Sequence, residues 1–594
     1  MKKIFLYSLF ALGVASTTLL TSCEDAFGGF LDKQPSNELT EEEVFSDWNM
    51  MVRFHYDTYN FLRHGAYRVK DSWLDTATDL GETSYSSGGV RKSFNLGNYY
   101  NEAGAAELTE TWEHYYRAIR KCNLIITRIG NVPKEPSLSQ EKYEQDKLYY
   151  TSEARFLRAF FYWEMFLRYG PIPVVTEVLD PDGDLLSGYT TRPTLKEYVV
   201  DFILKELEEC ESGLMTYEDA WKSAQAGRIG QPMARALYSR IMLYMASPRY
   251  SAQSGVTWQQ AADAAKSFID DYGANFQLFT VVDSDGNTKG VEAYTNALLR
   301  NAYSGNNKEV IFYRNDVVIG WDRIQNDTPV GEGGKGGLCP SQNLVDMYDM
   351  ADGSSPFAQY DATGAPVYTG GASAPTINAA SGYNDANMWA NRDPRLAASV
   401  LYNGVAWGNG VINVVLGQRD NPVGNTNATP TGYYVRKYIP ETILSAEHSQ
   451  TAYRLWTIIR YAEILLNYAE ALNEVQGPST EVYNLLDQVR HRSGITGNVA
   501  DRSDLTSSKD NMRNFIHKER TVEFAFEEHR PWDVRRWNVA VEALARPIYG
   551  VDVAADGTIT RKVAQNRVFE EKMYLYPIPE GEVWKTDIEN NPGW

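Results

Sequence analysis

Hydrophobic positions recur at helical spacing along most of the chain, and the pattern is fullest between Glu153 and Glu177. Leu157, Phe160, Phe161 and Met165 form one stripe at the 3.6-residue period; Phe156, Trp163, Phe166 and Leu167 form another. A helix that is apolar on two stripes must be covered on both sides. Ala154 and Ala159 offer small surfaces where a neighbouring helix can come close. Gly170-Pro171-Ile172-Pro173 ends the run, because proline cannot continue a helix and drives the residue before it out of the α region. The spacing predicts a central helix over 153–169 within a stack of helices, with the chain leaving extended through Val174, Val175 and Thr176.

The same period predicts helices elsewhere. Thr40, with Glu43 three residues on, reads as a capping box opening a helix through Trp48, Met51, Val52 and Tyr56 to Phe61. Further helices are expected over 108–128, 194–214, 233–245 and 261–272. Their pairing has the length of tetratricopeptide hairpins without a clean repeat, so the fold class expected is mainly α: a tetratricopeptide-like helical-hairpin scaffold. Helical period returns at Trp456 in WTIIRYAEILLNYAEALNEVQG and stops at Gly477-Pro478. It resumes from a Ser479/Thr480 cap through Val489, and again over 511–526. Between the two helical blocks, residues 273–450 carry glycine clusters such as 331–337 and Ser/Ala/Gly/Pro-rich runs, and read as a loop-rich ligand-binding lobe laid on the scaffold. Asp283-Ser284-Asp285-Gly286-Asn287 has its glycine at the fourth position and no Glu at the twelfth, so it reads as a hairpin turn rather than a calcium loop.

Aromatic residues outside the helical period are the candidates for chemistry. One predicted loop holds Trp73, Tyr85, Tyr99 and Tyr100, and the lobe adds Tyr303, Trp321 and Trp407. Such rings either pin loops to the scaffold or form a platform for a half-polar ligand. The expected ligand surface is Trp73, Tyr85, Tyr99, Tyr100, Trp321 and Trp407, with Asn101, Asp322 and Arg323 as its polar rim. The 39 tyrosines beside 14 tryptophans and 22 phenylalanines suit such a surface. A net charge of −20 without basic stripes argues against a nucleic-acid partner.

Met1 to Cys23 reads as targeting: Lys2 and Lys3, an apolar run from Ile4 to Leu20, then Leu20-Thr21-Ser22-Cys23, a bacterial lipobox in which Cys23 is acylated. More than one acyl chain makes a stable membrane anchor. Of the remaining cysteines, Cys122 and Cys210 lie in helical patterns and are expected to be buried, and with Cys339 the count is odd, so at least one stays free. The seven histidines make no metal spacing, and there is no GxSxG elbow, P-loop or dinucleotide fingerprint, so no cofactor is expected. The most suggestive titratable cluster, Glu527, Glu528 and His529 beside Arg530, Arg535 and Arg536, reads as a structural ion-pair network. Arg490-His491-Arg492 closes a helix in keeping with its dipole.

In order along the chain, these segments resemble the SusD/RagB family of outer-membrane lipoproteins. The matching stretches are Glu153 to Pro173; Leu344-Val345-Asp346-Met347-Tyr348 with Asp352-Gly353; Asn391-Arg392-Asp393-Pro394-Arg395-Leu396; Arg460-Tyr461-Ala462-Glu463 with Tyr468-Ala469-Glu470-Ala471; Glu519-Arg520 with Glu523, Glu527 and His529-Arg530; and the C-terminal Tyr576-Pro577-Ile578-Pro579 and Asn591-Pro592-Gly593-Trp594. Pro531 departs from the family pattern, where an aromatic follows His-Arg. The resemblance implies a signal peptide over 1–22, a SusD-like helical region over 23–272, the loop-rich lobe over 273–450 and a C-terminal helical region over 451–594. It further implies non-catalytic capture of a glycan at the cell surface and delivery to a SusC-like TonB-dependent transporter in the outer membrane. Peptide capture for the same kind of transporter is the alternative. A glycoside hydrolase, which needs only a carboxylate pair, is the reading from another class.

Overall fold

The computed structural model describes residues 40–67, 72–86, 89–99, 106–180, 183, 188–222, 225, 227–299, 307–314, 318–371, 374–445 and 449–594. The signal segment, Cys23, Tyr100, Asn101 and Tyr303 lie outside the described residues.

The protein is built largely from helices packed against one another. They are α1 (Trp48–Thr58), α2 (Thr111–Arg128), α3 (Gln140–Tyr169), α4 (Lys205–Glu211), α5 (Gln231–Ala246), α6 (Trp258–Tyr272), α7 (Tyr461–Gln476), α8 (Thr480–Arg492), α9 (Lys509–Glu523) and α10 (Arg530–Arg536). α2 packs on α3, α5 on α6, α6 on α7, and α7 on both α8 and α9, so the C-terminal helices close onto the N-terminal stack. Ser479 accepts from the Val482 amide at the start of α8 as its position predicts, but the Thr40–Glu43 capping box opens only a separate turn of helix, Glu41–Phe45, and α1 starts afresh where Asp47 accepts from the Met50 amide. Pro531 falls in the first turn of α10, where its missing N–H is no loss. The stretch Lys196–Leu204 is wound as a π-helix before α4 continues it.

α3 is the central helix, but it begins thirteen residues before Glu153 and runs for 30 residues, about 45 Å. The reason is local. Ser139 caps it through the Lys142 amide, and Tyr143 and Tyr150 in its polar half still bury one stripe against Trp48, with ring centroids at 4.9 and 6.0 Å. The second correction concerns Trp456–Arg460, which is a strand and not the first turn of α7. Its residues pair antiparallel with Val310–Arg314, and the β-branched Thr457, Ile458 and Ile459 suit a pleated surface. Asp283–Asn287 is a turn closed by a bridge between Val282 and Thr288, with Asp283 Oδ1 accepting from the Asp285 and Asn287 amides.

Two hydrophobic cores result. The larger gathers α1 to α10 and includes Cys122 and Cys210. The smaller lies in the lobe around Trp73, Leu338, Tyr348, Val400, Tyr434 and Trp456 and includes Cys339. All three cysteines are buried and free. Between the cores lies a buried ionic lattice: Arg395, Arg460 and Arg492 all pair with Glu523, and Lys437 and Arg460 with Glu527. Among the described residues no helix is long and apolar enough to cross a membrane.

Candidate ligand-binding site

The short helix Trp321–Ile324 organises the exposed end of the lobe. Trp321 and Ile324, three residues apart, point into the smaller core. Asp322 and Arg323 therefore face outward, their side chains 77% and 59% exposed. The ribbon just before this helix pairs Val318–Gly320 antiparallel with Thr451–Tyr453, and its register sets Val318 opposite Tyr453, both exposed. Tyr85 arrives from the other predicted loop. It is half-buried, and its hydroxyl donates to the Asn326 carbonyl at 3.0 Å.

The glycine-rich loop 331–337 ties these parts together. The Lys335 amide donates to the Gln325 carbonyl at 2.7 Å, Ser84 Oγ donates to the Lys335 carbonyl at 2.9 Å, and Lys335 Nζ reaches Asn326 Oδ1 at 3.2 Å. Only glycine fits at two positions here. A Cβ on Gly334 would lie 2.1 Å from the Thr328 carbonyl oxygen, and Gly337 (φ +45°) would place one 2.3 Å from Asp327 Oδ1. Asp327 is buried beneath this surface, and burial pushes its carboxyl up to about 6. Tyr85 and Lys335 both meet Asn326, the exposed Asp322 and Arg323 lie on the helix just before it, and Tyr453 lies on the ribbon that leads into that helix.

Four of the expected platform residues are elsewhere. Trp73 is wholly buried, its ring centroid 5.9 Å from Tyr438 and 5.7 Å from Trp456. Tyr99 is buried parallel to Trp594 at 5.6 Å and edge-on to Phe94. Trp321 anchors its helix from below, and Trp407 is buried in the Ala406–Trp407 strand with the Arg436 guanidinium 5.9 Å from its ring. These corrections have one cause: large rings bury wherever the fold offers partners, and the smaller core takes Trp73, Trp321 and Trp407 while the larger takes Tyr99. Of the expected set, Asp322 and Arg323 are exposed and Tyr85 is half-buried. Tyr453, Asn326 and Lys335, not among the expected residues, lie on the same segments of the lobe. The alternation Thr451-Ala452-Tyr453 is the strand signal for Tyr453, and the lone Lys335 within the glycine cluster was a visible oddity.

The titratable cluster after α9 is ionic architecture with more distant partners than its sequence neighbours. Burial opposes ionisation of Glu527, but the Arg460 guanidinium and Lys437 ammonium outweigh it and hold its carboxyl below the usual range. Arg530 pairs with Asp79 at 2.6 Å, Arg535 donates to main-chain carbonyls, and Arg536 bridges Glu470 and Asp533. Burial depresses His529 well below its ordinary value, and its ring lies 4.3 Å from that of Phe524. Arg490 and Arg492 close α8, but both turn inward, to Asp349 and Glu519 and to Glu309 and Glu523. Among the described residues no cluster of His, Cys, Asp and Glu is arranged to hold a metal ion.

Comparison with known proteins agrees along nearly the whole chain. Residues 283–594 match the family model described as "SusD family", and residues 29–243 match one described as "Starch-binding associating with outer membrane". SusD-like protein P38 of Formosa agariphila is 24% identical over 564 residues, covering 93% of this chain and 95% of that one. The crystal structure of a SusD-like protein from Bacteroides fragilis is 26% identical with a TM-score of 0.73, covering 95% of this chain and 100% of that one. A SusD-like carbohydrate binding protein from the same species is 22% identical with a TM-score of 0.68, covering 92% and 99%.

Proposed function

The chain belongs to the SusD family, and from that premise we propose that it is a non-catalytic glycan-binding lipoprotein of the outer-membrane surface. It captures an oligosaccharide and passes it to a partner SusC-like transporter. The observation that carries this reading is the pair of family models spanning both helical regions and the lobe, one of them described as starch-binding and associating with the outer membrane. The structural neighbour described as a carbohydrate binding protein supports it further. So does the lipobox, which supplies an anchor at Cys23.

The binding surface we assign is the lobe face of Tyr85, Asp322, Arg323, Asn326 and Tyr453. Sugar rings carry apolar C–H faces that stack on tyrosine, and their hydroxyls require carboxylate, guanidinium and amide partners. The non-catalytic role is supported by the state of the titratable cluster: Glu527 is locked by two cations and His529 is held neutral inside the protein.

Isothermal titration against a panel of oligosaccharides tests the reading. Tyr85→Ala and Asp322→Ala are each expected to weaken binding of the preferred glycan by about 1–3 kcal/mol, as truncated binding hot spots do, with the fold intact by far-UV circular dichroism. Affinity for no glycan in the panel would overturn it. So would release of shorter sugars that stops when one carboxylate is replaced.

A further inference from the structure

A separate cleft of about 450 Å3 opens between the 355–367 loop and the N-terminal half of α9, within the ~300–1,000 Å3 of small-molecule sites. Phe357 and Phe515, both buried, form its apolar floor, and the half-buried Tyr360 lines it. The loop is held in place before any ligand arrives. Tyr360 bridges to Pro366 and Phe357 to Ile377, Asn514 Nδ2 donates to the Tyr360 carbonyl at 3.1 Å, and the His517 ring is hydrogen-bonded to the Ala362 carbonyl at 2.8 Å.

The charged groups that line the cleft are already neutralised. Asp504 is gripped by Arg502 through two hydrogen bonds at 2.6 and 2.9 Å, and Lys518 is paired with Asp349. What remains is neutral. The Tyr360 hydroxyl oxygen is buried, and the Ser355 hydroxyl and the Phe357 main chain are the hydrogen-bonding groups beside it. Ser355 Oγ cannot serve it well, because it donates to Asp349 and accepts from Lys518 and Arg502. The Gln359 amide is exposed, with no partner among the described residues. Asn511 and Asn514 spend their Nδ2 groups on protein oxygens, which leaves their Oδ1 atoms as acceptors.

We propose that this cleft is a second carbohydrate site, taking one or two residues of a neutral glycan. It rests on the reading of the chain as a glycan-binding protein and adds a site to it. The half-buried Tyr360 ring suits a C–H face, and the Gln359, Asn511 and Asn514 amides suit hydroxyls. An acidic sugar would meet the Asp504 carboxylate and find no uncommitted cation.

The test uses full-length protein in detergent and five probes: neutral hexasaccharides of α-1,4-glucose, β-1,3-glucose, β-1,4-mannose and β-1,4-xylose, and hexagalacturonate. Binding is read by titration and by hydrogen exchange of the 355–367 and 511–518 amides. At least one neutral probe is expected to protect those amides. Tyr360→Phe and Asn514→Ala should each weaken that effect roughly tenfold, Tyr85→Ala should leave it intact, and hexagalacturonate should give none. Binding that Tyr85→Ala abolishes but the two cleft variants leave unchanged would overturn the second site and keep the first. Protection by hexagalacturonate alone would overturn the neutral specificity. Failure of every neutral probe to bind anywhere would overturn the cleft and also count against the parent reading.

Discussion

Replacing Glu523 by glutamine should destabilise the protein by about 3–5 kcal/mol, the cost of breaking a buried ion pair from one side. Glu523 is wholly buried at the end of α9. Its Oε1 accepts from Arg460 Nη1 at 2.6 Å and from Arg492, and its Oε2 accepts from Arg395 Nη1 at 2.9 Å. Burial opposes its ionisation, yet the three guanidiniums win and hold the carboxyl far below its ordinary value. Glutamine keeps the shape but removes the charge and turns a donor toward guanidinium donors. Arg395 retains Asp393 and Glu519, and Arg492 retains Glu309, so the loss is that of one carboxylate among several and belongs within the stated range rather than above it. The comparison is Asp270→Asn, which removes an exposed pair with Lys266 and should cost less than about 1 kcal/mol. Arg395 comes from the lobe and Arg460 and Arg492 from the C-terminal region, so urea unfolding followed by tryptophan fluorescence and far-UV circular dichroism should show both probes shifting together. A Glu523→Gln midpoint indistinguishable from that of Asp270→Asn would refute the view that the lattice stabilises the joint between the cores.

Burial, with the Glu528 charge adding to it, pushes the Asp75 carboxyl up to about 8; a raised folded-state value means its stabilising contribution is full below the unfolded value of about 3.9 and is lost as pH rises through 8. Asp75→Asn does not titrate, so its stability relative to the parent should grow by on the order of 1 kcal/mol per pH unit between pH 4 and 8, and a melting-temperature difference that stays flat over that range would contradict this. Cys23→Ala removes the thiol that acylation needs, so the protein should leave the membrane fraction when no transporter is present, and retention there would count against the anchor. Gentle detergent extraction should recover the protein with an outer-membrane β-barrel, through an interface of order 2,000 Å2; a solitary protein would argue against the partner.

The helical scaffold was legible because its signals are local. A 3.6-residue stripe, a cap and a proline are each complete within a few neighbouring residues, and Thr40, Ser479 and Gly170-Pro171 do in the structure what their chemistry dictates. Trp456–Arg460 misled because its apolar positions fit either period, and its state is decided by Val310–Arg314, far away in the chain. The candidate site failed to show itself for the same reason. Val318 meets Tyr453 only through strand register, and Tyr85 meets Asn326 and Lys335 only through loops far apart in the chain, so no local pattern marks them. The motifs that carry the family resemblance tell a different story. Arg395, Arg460, Glu519, Glu523 and Glu527 all belong to them, and all are buried and paired. Asp346, in another, holds Arg561 at 2.7 Å. A buried charge that loses its partner costs several kcal/mol, whereas an exposed Asp322 or Arg323 can change at little cost to stability. Much of the resemblance therefore resides in the buried ionic lattice, whereas the exposed residues of the proposed binding surface are those on which the fold places the least demand.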